Sequence, residues 1–297
     1  VEQEDLPDAI EDYPGVVLAG PLTTIAAHLV GIERPVVGLS WGFDLYALAR
    51  DASKAGWLKQ MKGLIVDSEA TLRIARDLGV NDKKILTMPW GVDLDRFTPD
   101  PPLMETPSSG SPLELITVLS LRALEPIYRV QDIIEAFARL ARRDRRLRLV
   151  IGNDGSEKRS LIRLTQDLRI TRSVSFIGHV AEADLPPILR KASIYVTASE
   201  VDGTSVTLLQ AMACGTPVVA SDTPGNRPWV IPGKTGHTFL TADPESLTAA
   251  LSRSIEVIES QDSEAMTQAA WQRVAASADW KRNILQLGRL MHLAADA

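Results

Sequence analysis

The sequence predicts an α/β protein of two doubly wound domains with parallel sheets, the first of them incomplete. Three observations carry this. Short β-branched runs alternate with stretches of helical periodicity, the rhythm of βαβ units. A Pro-, Ser- and Gly-dense segment, "FTPDPPLMETPSSGSPLE" (Phe97–Glu114), interrupts that rhythm once. The same rhythm then restarts and runs longer than before.

Taken in order, "GVVLAG" is an apolar run followed by the helix-like "LTTIAAHLVG". "RPVVGLS", "GLIVDS" and "KILTMP" are further strands, and "EATLRIARDLG" between the last two is a helix. Beyond the linker "LELITVLS" is a strand. "VQDIIEAFARLARR" places Ile133, Ile134, Phe137 and Leu140 on one helical face. "LRLVIGN", "VSFIG", "ASIYVTAS", "TPVVAS" and "GHTFL" are the remaining strands, with a helix "EKRSLIRLTQDLR" after the first of them. From Pro244 onward the chain reads as helical. Trp280, Ile284 and Leu287 share a face of the last helix and are expected to be buried. The expected boundaries are 1–105 for the first domain, 106–278 for the second, and 279–297 for a helix packing back on the first.

The bulk numbers exclude several classes. At 297 residues and 45% hydrophobic, the chain is long enough for two cores. A net charge of −6 argues against a nucleic-acid backbone binder. The single cysteine, Cys214, rules out an intrachain disulfide framework and suits a reducing, cytoplasmic setting. No apolar run approaches the roughly 18 residues a membrane span needs, and the acidic opening residues do not resemble a secretory signal. The basic run Arg139–Arg148 reads as a solvated helix end, with peripheral contact to anionic lipid at the inner membrane face as the other reading.

In open parallel sheets ligands sit beyond the carboxyl ends of strands, near a change in strand order. Three such loops stand out: Ser120–Arg129, Gly152–Ser156 and Ser199–Ser205. In "SEVDGTSVTLLQAMA" a carboxylate, Asp202, precedes Gly203, which lets a ligand approach the backbone. Thr204 and Ser205 are good helix-capping residues, and the N–H groups of a helix start can hold a phosphate. Gln210 places an amide one to one and a half turns into the helix, within reach of hydroxyls beside it. Arg122, just past a strand, is suited to clamp a diphosphate. A nucleotide sugar fits this layout. The plain alternative is that Asp202 and Thr204 cap a core helix and Gln210 is a buried amide with internal partners. "GNDG" is a weak glycine-rich signal that a turn explains equally well. No His, Cys, Asp or Glu spacing suggests a metal site, and no G-x-G-x-x-G follows a strand.

Together these segments resemble the retaining glycosyltransferases of family 4, which have the GT-B fold of two Rossmann-like domains. The resemblance covers nearly the whole chain from Val16. "TMPWGVDLDRFTP" resembles the end of the family's first domain, and "LRALEPIYRVQDIIEAFARL" its donor-diphosphate loop and following helix. "VIGNDGSEKRSLIRL" and "VSFIGHV" resemble the segments around the nucleobase. "DGTSVTLLQAMACGTPVVASDTPGN" resembles the E-x7-E block, and "SWGFDLY" a branch with "WGSD".

The resemblance implies a role for each matching residue. Asp202 stands where the first glutamate contacts the donor sugar, and Gln210 where the second binds the ribose. The backbone of Gly203, Thr204, Ser205 and Val206 receives sugar and phosphate, and Arg122 meets the diphosphate. The usual lysine is absent, and Arg129 is expected to replace its charge. His179 and Val180 border the nucleobase, and Asp44 faces the sugar or acceptor. Full-length relatives begin with a strand and a glycine-rich loop; none is read ahead of "VVLAG" here, and the expectation is that this part is missing from the sequence or that the protein is a degenerate relative. The implied activity is transfer of a sugar from a nucleoside diphosphate sugar, with retention, to a sugar, lipid-linked or other small acceptor. It needs no cofactor and no metal. A catalytically impaired binding or scaffold relative is the alternative, drawn from Gln210, the missing lysine and the short first domain.

Overall fold

The computed structural model describes residues 15–26, 28–29, 32–99, 115–260 and 263–295. Most of the Pro-rich linker and the opening acidic stretch lie outside the described residues. So do Ala27, Val30 and Gly31 of the expected first helix, whose Leu22–Ala26 portion winds as a π-type turn.

By contacts the chain divides into two units. The first comprises the residues up to Gly91 with Val201–Thr204 and those from Trp280 on; the second comprises Val92–Glu200 and Ser205–Asp279. The boundary thus falls earlier than the linker, at Gly91/Val92. Val92 bridges Asp279 and Phe97 is buried in the second unit's core, so the residues just before the linker already pack there.

The first unit holds a four-stranded parallel sheet in the order β1 (Val17–Ala19), β2 (Val36–Leu39), β3 (Gly63–Val66), β4 (Ile85–Thr87). β3 is buried along its whole length, as expected of a strand covered on both faces. On one side Leu45, Leu48, Leu58 and Leu64 form the core. On the other, Val37, Ile65 and Met88 pack against the last helix, Trp280–Ala295. That helix is turned from the expected face. Leu287, Leu290, Met291 and Ala294 pack inward and Asn283 donates to the Pro89 carbonyl, whereas Trp280 and Ile284 are each 36% exposed. The physical reason lies in the partner surface: Val37, Ile65 and Met88 receive Leu287, Leu290, Met291 and Ala294, while Gly91 lies against the Trp280 backbone at the helix start.

The second unit holds six parallel strands in the order β10-β9-β8-β5-β6-β7, from β5 (Ile116–Ser120), β6 (Leu147–Gly152), β7 (Val174–Gly178), β8 (Ile194–Thr197), β9 (Val218–Ser221) and β10 (His237–Phe239). The ten strands among the described residues coincide with runs picked out from sequence. The chain enters at β5, builds outward through β6 and β7, then returns to the other flank of β5 as β8. The strand order therefore reverses between β5 and β8. One core contains Ile133, Ile134 and Phe137 of the Val130–Ala141 helix, and the other Leu208, Leu209 and Met212 of the Val206–Ala213 helix.

Candidate functional site

The reversal between β5 and β8 is where an open parallel sheet binds ligands, and Arg122 stands two residues past β5. Its Nη1 donates to Ser205 Oγ at 3.0 Å, and its guanidinium carbon lies 4.3 Å from the centre of the Tyr128 ring. Stacking fixes the plane of the guanidinium and so aims its N–H groups. Ser205 is the N-cap of the Val206–Ala213 helix by position, yet its side chain makes no capping bond. The expectation that Thr204 and Ser205 cap this helix is thus corrected. Ser205 Oγ is turned to Arg122, and the first N–H groups of the helix are left to a ligand. A cation beside an uncapped helix start is suited to hold an anion.

Gln210 is 9% exposed, and its amide makes no hydrogen bond among the described residues. It is therefore not a buried amide with partners of its own. Val180 lines a small concavity of about 120 Å³ with Leu121, Asn153, Leu185 and Thr207, beyond the ends of β5 and β6. His179, next to Val180, is exposed. The "GNDG" loop braces Arg122's loop. Leu124 N–H donates to the Asp154 carbonyl and the Leu124 carbonyl accepts from Glu157 N–H, and Ser156 donates twice to the Glu125 carboxylate, holding it below the usual carboxylate range.

Arg129, expected to replace the missing lysine's charge, is paired within the protein. It grips buried Asp132 with two bonds, at 2.7 and 3.1 Å, and Glu200 with a third at 2.7 Å. With two carboxylates on it, the guanidinium is already neutralised. Its work is structural, joining the loop after β5 to the end of the loop after β8, where Glu200 N–H also donates to the Ile127 carbonyl.

Asp202, Gly203 and Thr204 belong by contact to the first unit. There they meet Asp67, a residue unremarked in the sequence, one position past β3. Thr204 N–H donates to Asp67 Oδ2 at 2.7 Å and Thr204 Oγ1 to the Asp67 carbonyl at 2.9 Å. The Thr204 amide is therefore already used. Asp67 is 4% exposed, and burial foremost, with the charge of Asp202 adding to it, pushes its carboxyl up to about 6. Burial and then the charges of Asp67 and Asp202 likewise raise the Tyr46 phenol.

Asp44, expected to face the sugar or acceptor, is engaged within the protein. It sits in the first turn of the Phe43–Arg50 helix, fully buried, and accepts from Ser40 Oγ and from the N–H groups of Leu22, Trp41 and Leu45. Four donors saturate the carboxylate, so it ties backbone together. The signal that would have found Asp67 was "GLIVDS": a carboxylate straight after a buried parallel strand, at the sheet's ligand end.

Two parallel-sheet units of this kind, the second with a strand-order reversal, define a protein of GT-B fold. Solved structures agree. The Anabaena protein HepE with UDP-glucose superposes with a TM-score of 0.82 at 18% identity, over 98% of this chain and 81% of that one. Sucrose-phosphate synthase from Thermosynechococcus elongatus gives 0.80 at 20%, over 98% and 76%. In sequence, residues 105–273 match the family described as glycosyl transferases group 1, and the chain belongs to that family. A D-inositol 3-phosphate glycosyltransferase from Catenulispora acidiphila is 31% identical over 62% of this chain and 45% of its own length. A glycogen synthase from Mycobacterium tuberculosis is 28% identical over 84% and 59%. The chain spans about half the length of the curated relatives it matches.

Proposed function

We propose that this chain takes part in moving a sugar from a nucleoside diphosphate sugar to a sugar, lipid-linked or other small acceptor, with retention of anomeric configuration. The observation that carries the reading is Arg122 joined to Ser205 at the uncapped start of the Val206–Ala213 helix. In this reading these groups hold the diphosphate, Gln210 meets the ribose and Val180 borders the base. Asp202, three residues ahead of Ser205 in the chain, accepts from the sugar hydroxyls. The bond from the anomeric carbon to the diphosphate oxygen breaks and the acceptor oxygen bonds on the same face. The acceptor's proton passes to the leaving phosphate. Arg122 and the helix start stabilise the charge that develops there. Because solved neighbours are described with UDP and UDP-glucose, UDP-sugars are the first donors to try. A panel of nucleotide sugars, scored by thermal shift and then by product formation, tests the reading. Tight binding without turnover would favour the impaired relative, and no binding would reject the donor site.

Gln210→Glu separates a ribose-binding role from core packing. Because the amide has no internal partner to lose, the carboxylate is expected to tighten UDP-sugar binding by about 1 kcal/mol, roughly fivefold, through stronger bonds to both ribose hydroxyls. The melting temperature should hold. A large drop in melting temperature without gain in affinity would reject the role.

The proposed location is cytoplasmic, with peripheral contact at the inner membrane face. Among the described residues no helix is long and apolar enough to cross a membrane. Arg142, Arg145, Arg169 and Arg172 line one surface concavity of about 620 Å³ that has no acidic residue in its lining. A basic residue at an anionic surface contributes about 1 kcal/mol. Arg169→Glu with Arg172→Glu should therefore weaken cosedimentation with phosphatidylglycerol-containing vesicles by at least tenfold at low salt. Unchanged sedimentation would count against membrane contact.

A further inference from the structure

We propose that Asp67 is a positioning residue that clamps the Asp202–Thr204 turn in the conformation that admits the donor; the donor role of that turn rests on the reading above. The clamp has two arms. The carboxylate takes the Thr204 amide and the Asp67 carbonyl takes the Thr204 hydroxyl, across 137 residues of sequence. The other carboxylate oxygen accepts from Thr71 Oγ1 at 2.9 Å, in the first turn of the Glu69–Asp77 helix, which Ser68 caps. Asp67 is thus held from below by one element and grips the turn with what remains.

The fit leaves no slack. A Cβ on Gly203 would fall 1.9 Å from Asp67 Oδ2 and 2.5 Å from its Cγ, so the turn passes directly over the carboxylate. Gly42, at φ +83°, also lies against the Gly203 backbone: an added Cβ would be 2.5 Å from the Gly203 nitrogen.

Packing alone does not call for a charge here. Among the described residues Asp67 has no cationic partner. The titratable groups that face it are Asp202 on the turn and Tyr46 on the Phe43–Arg50 helix, and both oppose its ionisation or share its sign. An asparagine would occupy the same volume and could still accept from the Thr204 amide while donating to Thr71. What the carboxylate adds is a stronger grip on the amide, since a charged acceptor bonds more tightly than a neutral one.

This gives opposite signs for stability and binding. A carboxyl raised by folding contributes stability that is fully present below its unfolded value, near 3.8, and is lost as pH rises through about 6. Asp67→Asn removes that loss, so it should melt higher than the parent at pH 8 and show no such advantage at pH 4. Over the same change, affinity for the donor should fall. A residue that served only the core would lose both together.

The experiment uses the full chain, with UDP-glucose as probe, in calorimetry from pH 8 to pH 5. Melting curves and hydrogen exchange of the peptide spanning Gly203–Val206 accompany it. A nucleotide sugar, esterified at both ends of its diphosphate, has no ionisation of its own near pH 6. The parent should lose affinity as pH falls through about 6. Asp67→Asn should be roughly three- to tenfold weaker at pH 8 and nearly flat with pH. Asp67→Ala should be weaker by at least tenfold and exchange faster at the Thr204 amide. Equal affinity and an equal pH profile in Asp67→Asn would overturn the proposal. So would unchanged exchange in Asp67→Ala, a result that needs no ligand. If the parent binds no UDP-sugar, the donor reading fails by itself, while exchange and melting still decide whether Asp67 clamps the turn. Should Asp67→Ala not fold, the isosteric Asp67→Asn carries the same comparison.

Discussion

Arg122→Ala should weaken binding of a nucleoside diphosphate sugar by about 10- to 150-fold, that is roughly 1.5–3 kcal/mol, the range for a hydrogen bond to a charged group. Turnover should fall further, by up to about 10²–10³, because the leaving diphosphate gains charge as the glycosidic bond breaks and this donor acts most strongly then. The fold should barely register the change. The side chain is half-buried at a loop, and inside the protein it bonds Ser205 and stacks on Tyr128, both replaceable by solvent. No second cation takes over, because Arg129 is already held by Asp132 and Glu200. Arg122→Lys should fall between the two, keeping the charge and losing the planar fork. Calorimetry with UDP-glucose checks this, and undiminished affinity in Arg122→Ala would remove Arg122 from the donor site.

Gly203→Ala is the other large effect. The added methyl would overlap a buried carboxylate whose three outer atoms all lie within 2.5 Å of it. That carboxylate cannot swing away without breaking its bonds to Thr71 and Thr204. Either Asp67 is unseated or the turn shifts by more than an ångström. Overpacking of this kind costs about 1–3 kcal/mol of stability. A displacement of that size at a ligand-positioning turn costs on the order of 100-fold in activity. Asp67→Ala in the same chain removes the obstructing atoms. The double variant should therefore regain stability without regaining affinity, a non-additivity that marks direct contact. Additive losses of stability in the two variants would show that the atoms do not meet.

Much of the fold was legible because its signals are local. The strands of a sheet covered on both faces read as continuous apolar runs, and "GLIV" and "IYVT" are buried at every position. The helices between them carry their own periodicity. The candidate donor site was legible in part for the same reason. Arg122, Ser205 and Gln210 each sit at a fixed offset from a strand or helix end, and such offsets survive in the linear text. The face of the last helix was not legible. Several apolar stripes, around Trp280 or around Leu287 and Leu290, are compatible with one periodicity, and only the partner surface selects among them.

The sequence by itself determined the two parallel-sheet units, the places where strands give way to ligand-facing loops, and the family. These depend on residue type and spacing within some tens of residues. The tertiary structure alone decided which charges are available. Asp44 and Arg129 carry full charges in the sequence, yet four backbone and hydroxyl donors saturate the first and two carboxylates neutralise the second. Asp67 is anonymous in the sequence and becomes the clamp on a turn 137 residues away. The physical reason is that whether a charge remains free to meet a ligand depends on which donors, acceptors and opposite charges lie within hydrogen-bond reach of it. Only folding brings those groups together.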